Sequence, residues 1–451
     1  MSRPIVIIHG WSDRSANFGA LRNFVGSLAG GNLFQINLAD YVSMDDDVRF
    51  DDLVAGMQRA WTDAKLPTKP GAVDAVIHST GGLVIRDWLD THFAVGEAPI
   101  KRLLMLAPAN FGSPLAHKGR AFYGRIVKGF NSQKPFETGT HILKGLELAS
   151  PYSWELAMRD RFGSQSHFGL GKVLCTVLVG NVGYSGIMAA ANECGSDGTV
   201  RASTANLNCV LVEADFATDP LNPTFKTWNS TGGTAFRILD NDNHSTAAMK
   251  DGGPRDPGGR DAIARALTVP EDKFDAWCSE CAVATEEITR RAEQDKSHGK
   301  DGDDRKFGYQ NTVVRLRDDA GVEVRDYFLE FYVEDEDDPK SLFSELFHRD
   351  VLQTVHAYGD NPAYRSLMVD CTTLFRQLDK EQEYMKVSVT ATPELLKNGL
   401  VGYRTFTDDD IGGIKISRQQ MQKLFQPHRT LLLDLKIRRE RKDEVFRIKA
   451  D

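Results

Sequence analysis

Short apolar runs alternate with amphipathic stretches along the first 270 residues of the chain. The runs are Pro4–His9, Leu33–Leu38, Val73–His78, Ile100–Leu106, Lys172–Val179 and Thr234–Leu239. Each is mostly continuous rather than alternating, as a strand covered on both faces should be. Helical periodicity lies between the first four, near Asn17–Leu28, Phe50–Ala64 and Gly81–Phe93. Strand and helix in alternation predict a mostly parallel sheet with helices on both faces.

Residues 110–171 break that rhythm. They set Phe111, Phe122, Tyr123, Ile126, Val127 and Phe130 among Gly, Lys and Ser, with no strand signal. The stretch reads as a helical insertion, a candidate lid over a substrate site. One more strand-like run, Cys209–Phe216, precedes a loop rich in Asn, Pro and Thr, and both are expected within the first domain.

A helical stretch at Glu271–Glu293 and the apolar-free run Gln294–Lys306 read as a helix and charged linker over 271–308. From 309 to 451 the pattern turns to alternating strands at Thr312–Leu316, Glu323–Val333, Ser366–Cys371, Met385–Thr392 and Thr430–Ile437. That predicts a second, β-rich, sandwich-like domain. The acidic run Glu334–Asp338 is expected to be a solvated loop, although its oxygens are of the type that hold divalent cations.

Composition adds exclusions. A formal net charge of -8 gives no broad positive face for nucleic acid. No run approaches the ~18 continuous apolar residues of a membrane span. The N-terminus enters a strand at once, so no signal peptide is expected and a cytoplasmic location is the default; signal-independent export leaves no mark in sequence. The six cysteines are scattered, and the lone Cys278-x-x-Cys281 reads as two positions on a helix face.

The chemistry concentrates at strand ends. Val73–His78 runs directly into Ser79-Thr80-Gly81-Gly82, where a helix begins. Strand, serine, helix is the context of a nucleophile elbow, with Gly81 and Gly82 keeping the turn tight and the helix close to the sheet. Ile77 stands where such elbows usually carry glycine. Ile5–Ile8 ends in His9-Gly10-Trp11, placed to supply the Trp11 N–H to an oxyanion hole, with the Thr80 N–H as the second donor. A serine hydroxyl needs a base, and the base a carboxylate, in chain order serine, acid, histidine. His244, in the polar loop after Thr234–Leu239, fits the base. Asp197, in Gly195-Ser196-Asp197-Gly198, fits the acid; Glu193, Glu213, Asp215 and Asp240 lack its Asp-Gly turn. His9, His78, Phe111 and Phe122 are the candidates for the substrate site's walls, the two histidines also being placed to support the oxyanion loop.

These segments, with Ala107–Ala116, resemble the α/β-hydrolase lipases and esterases, particularly the bacterial lipase and lecithin–cholesterol acyltransferase-like group. The resemblance covers roughly residues 1–270. It implies an α/β-hydrolase fold and hydrolysis of a small or lipid carboxylic ester through an acyl-enzyme on Ser79, with no cofactor. Some bacterial lipases hold calcium through an aspartate two residues after the histidine; here that place is Thr246, so no metal is expected. A phospholipase or toxin-like lipase acting on membranes is the alternative, and a non-catalytic interaction protein on the same fold the remote one. The C-terminal domain is similar in outline to accessory β-domains that meet lipid or a partner; its own partner is open at this stage.

Overall fold

The structure, a computed structural model, describes residues 3–9, 18–43, 45–116, 139–186, 189, 192–298, 302–332, 341–378, 384–392, 407, 410 and 414–440. Trp11, Phe122 and Glu334–Asp338 lie outside the described residues. Two compact units divide the chain: 1–209 with 230–307, and 210–229 with 308–451.

The first unit is built on a six-stranded sheet. In chain order its strands are β1 (Ile5–His9), β2 (Leu33–Asn37), β3 (Val73–His78), β4 (Ile100–Leu106), β5 (Leu174–Gly180) and β8 (Ala235–Leu239). They lie side by side as β2-β1-β3-β4-β5-β8, every neighbouring pair parallel. Alternate residues feed two separate cores. Val6, Ile8, Ala75, Ile77, Met105 and Val177 join the helices Phe50–Asp63 (α2) and Gly81–His92 (α3) on one face. On the other, Ile5, Ile7, Val76, Leu104 and Leu178 pack with Gly19–Leu28 (α1) and the helices Gly259–Thr268 and Phe274–Glu293. Burial on both faces is the physical reason these strands read as unbroken apolar runs.

That last helix is the one expected at Glu271–Glu293, but it and the charged run after it belong to the first unit, which includes 230–307, rather than to a segment between domains. Phe274, Trp277 and Cys281 are core residues of the first unit, and Trp277 Nε1 donates to Thr176 Oγ1 at 3.0 Å on β5. The described part of the insertion holds two helices, Thr140–Leu146 and Pro151–Asp160, the second capped by the Ser150 side chain accepting from the Ser153 N–H.

The described residues of the second unit form two sheets. The larger is mixed and six-stranded, β11-β12-β9-β15-β6-β7; the smaller is three-stranded, β10-β13-β14. Their ranges are β6 Val210–Asp215, β7 Thr224–Asn229, β9 Tyr309–Asp318, β10 Asp326–Tyr332, β11 Leu352–Ala357, β12 Tyr364–Asp370, β13 Tyr384–Thr392, β14 Ile414–Ser417 and β15 Thr430–Ile437. All of the run at Cys209–Phe216 except Cys209 itself therefore lies outside the first domain, where its sequence position had put it. As β6 it pairs parallel with β15, Val212 opposite Leu433. An apolar strand carries no label for its sheet, and this one finds its partner far along the chain.

Candidate active site

β3 delivers Ser79 into a tight turn. Its backbone has φ +56, the left-handed region that costs an L-residue about 1–2 kcal/mol. Fixed hydrogen bonds hold that geometry: Ser79 N–H to Leu106 O at 3.1 Å, and Gly82 N–H and Ala109 N–H to Ser79 O at 3.0 and 3.3 Å. The two glycines do different work. A Cβ on Gly81 would meet Ile77 Cβ at an ordinary 3.5 Å, so Ile77 is accommodated without strain. One on Gly82 would come within 2.7 Å of Pro108 Cβ. Gly82 is thus the position where α3 approaches the chain after β4 too closely for any side chain.

The loop after β5 presents Asp197. Its Oδ1 accepts the Thr199 and Val200 N–H groups at 2.9 and 2.7 Å, and the residue is fully buried. Gly198, at φ +91, makes the turn, and a Cβ there would strike the Tyr184 ring. The loop after β8 presents His244, whose backbone N–H donates to Asp197 O at 2.9 Å. Asn243 Oδ1 accepts from the Ser245 and Thr246 N–H groups, and Asp242 accepts the Arg255 and Asp256 N–H groups at 2.8 and 2.9 Å.

Ser79, Asp197 and His244, separated by more than a hundred residues at their widest, meet here. His244 Nδ1 lies 3.0 Å from Asp197 Oδ2, and His244 Nε2 lies 3.1 Å from Ser79 Oγ. A carboxylate only accepts, so Nδ1 carries the ring proton and Nε2 is left as the acceptor for the serine hydroxyl. Thr80, the residue before α3, has no acceptor for its N–H among the described residues. It therefore points an unused donor from the helix N-terminus, where the dipole also favours negative charge.

His9 and His78 are not substrate walls in this structure. His9 is completely buried, with Nε2 3.3 Å from Gln35 Oε1 and its ring edge-on to Phe18. His78 Nε2 donates to the His244 carbonyl at 3.2 Å, and the two rings are 4.6 Å apart. Phe111 is also withdrawn from a wall position. It is 1% exposed, beneath the Arg86 guanidinium at 5.6 Å. The apolar character that suggested contact with an acyl chain is spent on packing.

Several supporting residues carry no local sequence signal. Arg86 and Asp160 form a buried bidentate pair at 2.7 and 2.9 Å, and Arg86 Nη1 also donates to Asn110 O. Asn110 Nδ2 in turn donates to Ala205 O, and Ser113 Oγ to Thr199 O at 2.6 Å. These bonds brace the chain after β4 against the acid turn.

Burial raises the Cys281 thiol to about 12 and the Cys278 thiol to about 11, so this Cys-x-x-Cys is held protonated, unlike a redox pair. Asp295, His298 and Asp303 cluster in the first unit, but Arg305 already bonds to both Asp303 and His298.

No protein-family model matches the chain, and no curated protein matches it. Among solved structures it is similar to the phospholipase PlaB from Legionella pneumophila, at 23% identity and a TM-score of 0.78, over 100% of this chain and 97% of that one. The same phospholipase in complex with thio-NAD gives 23% and 0.76, over 99% and 96%. The mature form of the Bacillus licheniformis lipase BlEst2 is also matched, at 17% identity and a TM-score of 0.32, over 46% and 79%. The fold agreement with PlaB runs through both units. The chain's first unit thus has the α/β-hydrolase fold, and its β-rich second unit is part of the likeness.

Proposed function

We propose that this chain is a serine hydrolase of carboxylic esters working through an acyl-enzyme on Ser79. The observation that carries the reading is the relay Asp197–His244–Ser79, with hydrogen-bond distances at both links. Ser79 Oγ attacks the ester carbonyl carbon while His244 Nε2 takes its proton. Asp197 fixes the imidazole tautomer and stabilises the imidazolium. The carbonyl oxygen becomes an oxyanion facing the Thr80 N–H, with the Trp11 N–H as the expected second donor; each such donor contributes about 3 kcal/mol to the transition state. His244 then gives its proton to the leaving alcohol. Water, deprotonated by His244, attacks the acyl-serine and releases the acid, restoring Ser79. His78 is a positioning residue, holding the His244 backbone through its carbonyl.

A phospholipid is the favoured ester. The supporting observation is that the similarity to a phospholipase spans both units rather than the hydrolase fold alone. The test presents p-nitrophenyl esters of graded chain length and phosphatidylcholine or phosphatidylglycerol vesicles to the wild type and to Ser79→Ala. Fatty acid released from vesicles only by the wild type supports the phospholipase reading. Turnover of the soluble esters alone restricts the enzyme to esterase chemistry.

A further inference from the structure

The second unit encloses space that its own described side chains do not fill. Its strands turn alternate residues inward, so the two sheets offer apolar faces. From the larger sheet, Val212, Val314 and Leu433 stand in register across β6, β15 and β9. From the smaller, Phe331, Val387 and Val389 contribute from β10 and β13. Facing sheets ordinarily interdigitate to the density of an organic crystal, leaving few voids larger than a water. Here a cavity of about 360 Å³ persists. The two sheets differ in width, three strands against six, and the short helix Arg418–Leu424 contributes to the lining.

The lining is nearly all aliphatic and aromatic, and its distribution of charge is one-sided. The exposed residues of the described lining are Phe225, Thr227, Lys415, Gln420 and Lys423. Among the described lining residues only Lys415 and Lys423 are charged and none is acidic. The Lys415 ammonium packs over the Tyr384 ring at 3.8 Å on the outer face of β14, which leaves Lys423 as the cation for the cavity. An apolar interior with a cation at its edge fits an amphiphile with one alkyl tail and an anionic head. A methylene takes up about the volume of a liquid water molecule, ~30 Å³, so about a dozen would fill the space. A two-chain lipid is too large.

We propose that this cavity is a binding site for one medium-chain fatty acid, its tail between the two sheets and its carboxylate against Lys423. The site is separate from Ser79 and does not depend on the hydrolytic reading. A lipid-ester hydrolase would nevertheless generate this class of ligand.

Isothermal titration of the full chain with saturated fatty acids of eight to sixteen carbons, below their critical micelle concentrations, tests the assignment. One molecule should bind per chain. Affinity should rise about fourfold per added methylene and level off near a dozen carbons. Lys423→Glu, at an exposed position, should weaken dodecanoate about fivefold while leaving dodecanol unchanged. Val389→Trp should abolish binding of both. Hydrolysis of p-nitrophenyl acetate by each variant, or fluorophosphonate labelling where no turnover exists, reports that the variant is folded. Absence of saturable binding overturns the proposal. So does binding of many molecules per chain, or affinity indifferent to both the charge reversal and the filled cavity.

Discussion

The two units bury apolar strands in opposite ways. In the first, helices cover both faces of a parallel sheet, so every strand is a packed interior element and the open positions are the loops at the strand ends. Ser79, Asp197 and His244 all occupy such loops, after β3, β5 and β8. The rigid sheet fixes their spacing while polar backbone networks fix their orientation. In the second unit two sheets of unequal width face each other, and room is left between them. The first arrangement concentrates polar groups at one edge and suits chemistry. The second leaves an apolar interior and suits binding.

The largest expected effect lies at the polar edge. Asp197→Asn keeps the shape of the acid turn but lets the side chain bond the wrong imidazole tautomer. Ester turnover should fall about 10⁴-fold with little change in thermal midpoint. A loss of less than tenfold would remove Asp197 from the relay and assign it to the loop alone.

A stability effect in the same unit comes next. Asp160→Ala leaves the fully buried Arg86 without its partner, and breaking such a pair costs about 3–5 kcal/mol. Urea unfolding of the first unit should shift accordingly. An unchanged midpoint would mean that Asn110 alone satisfies the guanidinium.

The second unit should answer to acid instead. Burial lowers the His428 pKa from 6.5 to about 4. The folded state therefore refuses a proton that the unfolded chain accepts, and stability is full above pH 6.5 and lost as pH falls toward 4. The loss should reach about 3 kcal/mol. Peptide-resolved hydrogen exchange in β9 and β15, corrected for intrinsic rates, should show it, and His428→Gln should flatten the dependence. Equal acid sensitivity in wild type and variant would place the cause elsewhere.

The smallest effect is steric. Gly82→Ala puts a methyl against Pro108 and should cost about 1–3 kcal/mol, lowering the thermal midpoint of the first unit by a few degrees. Gly81→Ala, with only ordinary contact to Ile77, should be milder. A reversal of that order would mean that the elbow, rather than the helix approach, sets the need for glycine.

The legible parts of the sequence were those with a local signature. Strands covered on both faces announce themselves as apolar runs, and all six of the first sheet were visible. Ser79, Asp197 and His244 were legible because each combines a residue type with a turn, in a fixed chain order. Long-range partnerships were not. Nothing in Val210–Asp215 says that it pairs with Thr430–Ile437, and nothing in Arg86 names Asp160. The short strands β11 and β14 lack enough alternating positions to stand out. Phe111, His9 and His78 misled because an aromatic near a site looks alike whether it meets substrate or packs behind a catalytic loop.

The central claim is that Ser79 is the nucleophile. A fluorophosphonate probe, followed by mass spectrometry of the labelled peptide, tests it most directly. The account predicts a single adduct on Ser79, loss of ester hydrolysis in step with labelling, and neither labelling nor turnover in Ser79→Ala. Undiminished hydrolysis by Ser79→Ala, or an adduct on another residue, would contradict it.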